Sequence, residues 1–125
     1  MPSYEGGCLC GAVRFQVTGA PKWTAWCHCQ SCRRHSGAPV SVFVSFEHEA
    51  VVISKGTITK FHSSPGTRRG FCASCGTTLT CESEKLPTEC HFHVGAFDRP
   101  EVLVPSFHIF PEERLPWLLF TDAEI

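Results

Sequence analysis

Seven of the nine cysteines fall into three short clusters: Cys8-Leu-Cys10, Cys27-His-Cys29-Gln-Ser-Cys32 and Cys72-Ala-Ser-Cys75. Two thiolates one or two residues apart can reach a single ion together, and zinc takes sulfur at about 2.3 Å in a tetrahedron. A C-x-x-C redox motif belongs in a βαβ setting, which this sequence does not show, and an odd count rules out a fully paired disulfide framework within one chain. The spacing therefore predicts zinc.

The clusters are not equivalent. Cys75 is followed by Gly76 and Cys10 by Gly11, so each loop can turn tightly and aim backbone N–H groups at sulfur. Together Cys8, Cys10, Cys72 and Cys75 make a closed four-sulfur site, the structural kind, which adds folding energy directly. Cys27, Cys29 and Cys32 supply three sulfurs and no obvious fourth. Three protein ligands and one open position is the arrangement of a catalytic zinc. Arg33 and Arg34 follow at once and would offset the thiolate charge or attract an anion. A closed site remains open as an alternative, with His28, His35, His91, His93 or His108 as fourth ligand. Cys81 and Cys90 alternate with apolar residues and read as small buried hydrophobes. His91 and His93 share the opposite strand face, where paired surface histidines are the simpler reading.

The elements that must carry these residues are short strands. Val13, Phe15 and Val17 alternate with polar residues, as do Val40, Val42, Val44 and Phe46 with Ser41 and Ser45 opposite. Val51–Ile53, Thr57–His62, Thr77–Cys81, Cys90–Val94 and Val102–Val104 read as further strands. Ser64-Pro-Gly-Thr67 is a turn. Helical periodicity is nearly absent: one short turn is expected over Gln30–His35, closed by Gly37 in a left-handed cap. Beyond Pro105 the prolines punctuate an irregular segment laid over the core. The class is all-β, built around metal, with residues 1–125 as a single zinc-binding domain.

Composition sets the limits. In 125 residues, 42% are hydrophobic and 18% charged, which suits a packed globule. Eleven Lys and Arg stand against twelve Asp and Glu, a net charge of −1. That balance argues against a nucleic-acid partner. No stretch reaches membrane-spanning length, and no signal peptide is visible. A cytoplasmic location is expected, where thiols stay reduced.

Read in order, C-x-C-G, C-x-C-x-x-C and F-C-x-x-C-G resemble the glutathione-dependent formaldehyde-activating family, which includes centromere protein V. Gly7-Cys8-Leu-Cys10-Gly11 through Phe15 looks like the family's opening strand. Cys27 through Arg34 with Ser36-Gly37 looks like its second motif, and Arg69-Gly-Phe-Cys72-Ala-Ser-Cys75-Gly-Thr77 like its knuckle. Val94 to Pro100, His108-Ile109 and Pro116-Trp117 are similar to its later landmarks. The resemblance implies a β-tent, a structural zinc on Cys8, Cys10, Cys72 and Cys75, and a catalytic zinc on Cys27, Cys29 and Cys32. It implies a carbon–sulfur lyase that condenses glutathione with formaldehyde reversibly. Such a lyase is expected to hold its open three-cysteine zinc in a cleft lined by His108, Phe110 and Trp117. The alternative function is a non-catalytic interaction module with two structural zincs.

Overall fold

The computed structural model describes residues 1–120. Two sheets face each other. The smaller has the order β1-β2-β5, from β1 (Ser3–Gly7), β2 (Arg14–Thr18) and β5 (Val51–Lys55). The larger adds β3 (Trp23–Cys27), β4 (Ser41–Glu47), β6 (Thr59–Ser64), β7 (Thr67–Phe71), β8 (Thr78–Ser83), β9 (Glu89–His93) and β10 (Phe107–Ile109), in the order β10-β3-β4-β9-β8-β7-β6. The one α-helix among the described residues, α1 (Gln30–Ser36), lies between β3 and β4. No helix among them is long and apolar enough to cross a membrane.

Alternation on β2 builds the core. Phe15 and Val17 are buried while Gln16 and Thr18 face out. Phe15 packs tilted against Phe92 of β9, ring centroids 4.5 Å apart, and meets Phe97 edge-on at 5.1 Å. Leu79, Val44 and Phe46 complete the layer. Each such side chain stabilises by roughly 1.5–3 kcal/mol when buried. The expected turn closes the β6–β7 hairpin, with Ser64 opposite Thr67 and Gly66 at φ 79°. α1 ends as expected on Gly37, at φ 74°, whose N–H donates to Arg33 O at 2.7 Å.

Four expectations need correction. Ser41 and Ser45 are buried, not outward. The large sheet is covered on both faces, and Phe43, Cys27 and Cys32 form a second cluster on that side. Val102–Val104 is not a strand. Pro100 opens a 3-10 turn, and Pro105 has no N–H for a ladder. The last strand is instead β10, inside the segment expected to be irregular. It pairs parallel to β3, whereas all other pairs of described strands are antiparallel. Finally, Gly7 to Phe15 is not one strand. β1 ends at Gly7 and β2 begins at Arg14, because Cys8–Val13 is a loop that turns both sulfurs to one side.

Candidate metal centre and second sulfur cluster

The Cys8–Val13 and Cys72–Thr77 loops are built alike. Cys8 N–H donates to Val13 O and Gly11 N–H to Cys8 O. Cys72 N–H donates to Thr77 O and Gly76 N–H to Cys72 O. Gly11 and Gly76 sit at φ 82° and 79°, a left-handed conformation open to glycine. The loops face each other, so that the sulfurs of Cys8, Cys10, Cys72 and Cys75 all lie within 4.8 Å of one another. Cys8 and Cys10 are 3.6 Å apart, and Cys10 and Cys72 3.9 Å. A tetrahedron with ~2.3 Å zinc–sulfur bonds has edges of about 3.8 Å. The donor set fits a metal ion of that size. Further donors surround the sulfurs: Val13 N–H points at Cys8 Sγ at 3.2 Å, and the Thr77 hydroxyl lies 3.1 Å from Cys75 Sγ. That hydroxyl accepts from Leu9 N–H, so it bridges the two loops. The Thr77 hydroxyl and backbone pull the Cys75 thiol down to about 5.

The second cluster lies on the other face of the large sheet. Cys27 ends β3, Cys29 precedes α1, and Cys32 sits in its first turn. These sulfurs are not gathered as closely as the four above. Cys27 Sγ and Cys32 Sγ meet at 3.7 Å, and half-buried Cys29 packs against the same cluster. Arg69 of β7 closes the arrangement. Its Nη1 donates to Cys32 Sγ at 3.4 Å, and its Nε to Ser63 Oγ at 3.0 Å. The Cys27 thiol and then the Arg69 guanidinium draw Cys32 down to about 6, while the shared hydrogen bond and burial push Cys27 up. Cys81 is half-buried and packs against this cluster, with burial pushing its thiol up to about 11. Cys90, by contrast, is buried in the main core, as its alternation suggested.

The sequence pointed to Arg33 and Arg34 as the compensating cations. Arg33 Nη1 instead donates to His28 O and Glu113 O at 2.7 and 2.9 Å, and Arg34 is exposed. Sequence reasoning missed Arg69 as a partner of the sulfurs, and its signal was slight: the second residue of the basic pair Arg68-Arg69, three before Cys72. The histidines divide. His28 is fully buried, its Nε2 2.7 Å from His108 Nδ1 with the rings stacked. His91 Nε2 lies 2.8 Å from Glu89 Oε1. His93 packs on Phe43 at 4.4 Å and faces His35 at 5.9 Å, and burial holds it down at about 4. His108, expected beside Phe110 and Trp117 in a cleft, stacks between His28 and Trp26, while those two side chains are exposed. A cavity of about 720 Å³ lies elsewhere, between the four-sulfur loops, the end of α1 and His93.

A sequence model of the glutathione-dependent formaldehyde-activating enzymes matches residues 3–113. The chain belongs to that family. Among proteins similar to this family member, an uncharacterized lyase of Schizosaccharomyces pombe is 37% identical over 79 residues, which are 63% of this chain and 57% of the lyase. The chain thus spans little more than half of that relative. A Halomonas elongata protein, provisionally named a glutathione-dependent formaldehyde-activating enzyme, is 28% identical over 130 residues, 96% of this chain and 82% of its own length. The crystal structure of a Rhodobacter sphaeroides protein superposes with a TM-score of 0.67 at 20% identity, covering 84% of this chain and 99% of that one. This last likeness extends to the fold alone.

Proposed function

We propose that the protein is a zinc-dependent carbon–sulfur lyase that forms or cleaves a thiol–carbonyl adduct, S-(hydroxymethyl)glutathione being the reference case. In this reading zinc on Cys8, Cys10, Cys72 and Cys75 holds the fold, and zinc on Cys27, Cys29 and Cys32 serves the reaction. One observation carries the second assignment. Arg69 is buried, 6% exposed, and among the described residues its guanidinium meets sulfur and a hydroxyl but no carboxylate. A buried cation needs an anion close by, and thiolates at the second cluster supply it. The 3.7 Å Cys27–Cys32 spacing also suits a shared tetrahedral ion.

Zinc with an open position holds a thiolate or polarises a carbonyl oxygen. Adduct formation joins the thiol sulfur to the aldehyde carbon and moves the thiol proton to what becomes the hydroxyl oxygen; cleavage reverses both. Arg69 holds negative charge on the cluster's buried side, so the half-buried Cys29 side is left for substrate. Exposed Arg34, on the same helix, is placed to attract a carboxylate of a small thiol such as glutathione. The reaction is easy in water, so the protein's contribution is proximity and orientation. Nine free cysteines suit a reducing, cytoplasmic setting.

To test this, glutathione and formaldehyde are mixed with zinc-loaded protein and adduct formation is followed. The reading requires a rate above buffer that Cys29→Ser abolishes. Equal rates for buffer, wild type and variant would reject it for this substrate. A non-catalytic module with two structural zincs is favoured by one observation, the packing of Cys81 against the second cluster. An X-ray absorption spectrum with four sulfurs at both ions would select that module.

A further inference from the structure

β5 is an edge strand of the small sheet and β6 an edge strand of the large one. A cavity of about 300 Å³ opens beside them, away from both sulfur clusters. Its walls are apolar: Val51 and Ile53 of β5, Ile58 from the following loop, Cys90 and Phe92 of β9. One end is charged. Glu82 of β8 is 3% exposed. Lys60 Nζ donates to its Oε1, His48 Nε2 lies 3.1 Å from its Oε2, and Arg68 approaches within 3.9 Å. We propose that this cavity binds a monocarboxylate of about ten heavy atoms with an apolar body, a site distinct from the proposed lyase centre.

Charge sets the sign of the ligand. Lys60 and Arg68 are two full cations around one carboxylate, so a positive charge remains even with His48 neutral. Glu82 already accepts from Lys60 and lies 3.1 Å from His48 Nε2, and both of these line the cavity. A Lys ammonium has three N–H donors, and Glu82 takes one. An anionic head there makes charge-assisted hydrogen bonds, whereas a cationic one meets repulsion. Thr80 lines the same cavity with a buried hydroxyl that has no partner among the described residues. Volume sets the size. At roughly 30 Å³ for each heavy atom in a liquid, the space holds about ten, at the small end of ligand pockets. Octanoate and 3-phenylpropanoate are molecules of this kind, one aliphatic and one aromatic.

The experiment is calorimetric titration of the zinc-loaded protein with each acid and its uncharged amide, with methyl spectra of labelled isoleucines. Binding is expected with a Kd on the order of 0.1–1 mM for at least one acid, and at least tenfold weaker for its amide. The better acid identifies the aliphatic or aromatic class. Ile53 and Ile58 methyls should shift while Ile109 on β10 stays. Lys60→Met should weaken binding about tenfold. Ile53→Phe, which narrows the cavity without touching the charges, should abolish it and serves if the Lys60 variant unfolds. Equal affinity for acid and amide, shifts at Ile109 alone, or no binding by either acid overturns the proposal.

Discussion

Arg69 Nη1 lies 3.4 Å from Cys32 Sγ, across the face of the large sheet that the small sheet does not cover. The contact joins β7 to the first turn of α1 and matches a buried cation with sulfur. Removing one partner of a buried pair costs about 3–5 kcal/mol, because the other is left uncompensated. Arg69→Met should therefore destabilise the protein by roughly 3 kcal/mol and lower metal content at the second cluster, while the four-sulfur site stays loaded. Arg69→Lys should restore part of both. Metal analysis with urea unfolding reads the two effects; an Arg69→Met protein of wild-type stability and metal content would refute the role.

Removing a ligand of the four-sulfur site should be far more damaging than removing a core cysteine. Structural zinc contributes on the order of 10 kcal/mol of apparent folding energy. Cys72→Ala should unfold the chain at ordinary temperature, as should a strong chelator. Cys90→Ala, in the main core, should cost only about 1–3 kcal/mol. Circular dichroism melts compare them directly, and similar melting temperatures for the two variants would remove the structural role from this site.

Much of this was legible because cysteine spacing and alternation are local signals. The two Cys-Gly loops, the Ser64–Thr67 turn and the Gly37 cap each follow from a few adjacent residues, and the likeness of the two loops pairs Cys8 and Cys10 with Cys72 and Cys75. What escaped depended on distant partners. β1 has one large apolar side chain, Tyr4, and two glycines, so it becomes a strand only by pairing with β2. β10 exists because β3 offers a parallel edge. Arg69 and Cys81 lie opposite each other on β7 and β8, and only that register carries both toward Cys32. The family resemblance supplied the motif around Arg69 without saying which way its side chain points.

Burial of His93 makes stability depend on pH. Its folded value is about 4, against about 6.5 for free histidine. Between these values the unfolded chain takes up a proton that the folded chain refuses, so stability falls as pH drops from 6.5 toward 4. The loss from this group should be on the order of 3 kcal/mol. Thiolate protonation at the sulfur clusters acts over part of the same range, so the test is a comparison. Urea midpoints at pH 7.5 and pH 5 should differ less for His93→Phe than for wild type. Identical differences would mean that His93 titrates normally in the fold.

The start of α1 is held from outside the helix. Cys29 gives no side-chain cap. Instead Gln30 N–H donates to Glu113 Oε1 at 2.9 Å, and Arg33 ties down Glu113 O. A carboxylate at a helix N-terminus satisfies an orphan N–H and suits the helix dipole, together worth about 1 kcal/mol. Cys29 and Cys32 sit at this turn, so its fraying should be felt at the second cluster before it is felt globally. Glu113→Ala should lower stability by about 1 kcal/mol and raise amide exchange in the first turn of α1. With the four-sulfur site loaded and the second cluster free of metal, it should also speed alkylation of Cys32 relative to Cys90. Glu113→Gln keeps an acceptor but not the charge, and should fall between. If Cys32 reacts no faster in Glu113→Ala than in wild type, the C-terminal segment does not hold the helix that carries the cluster.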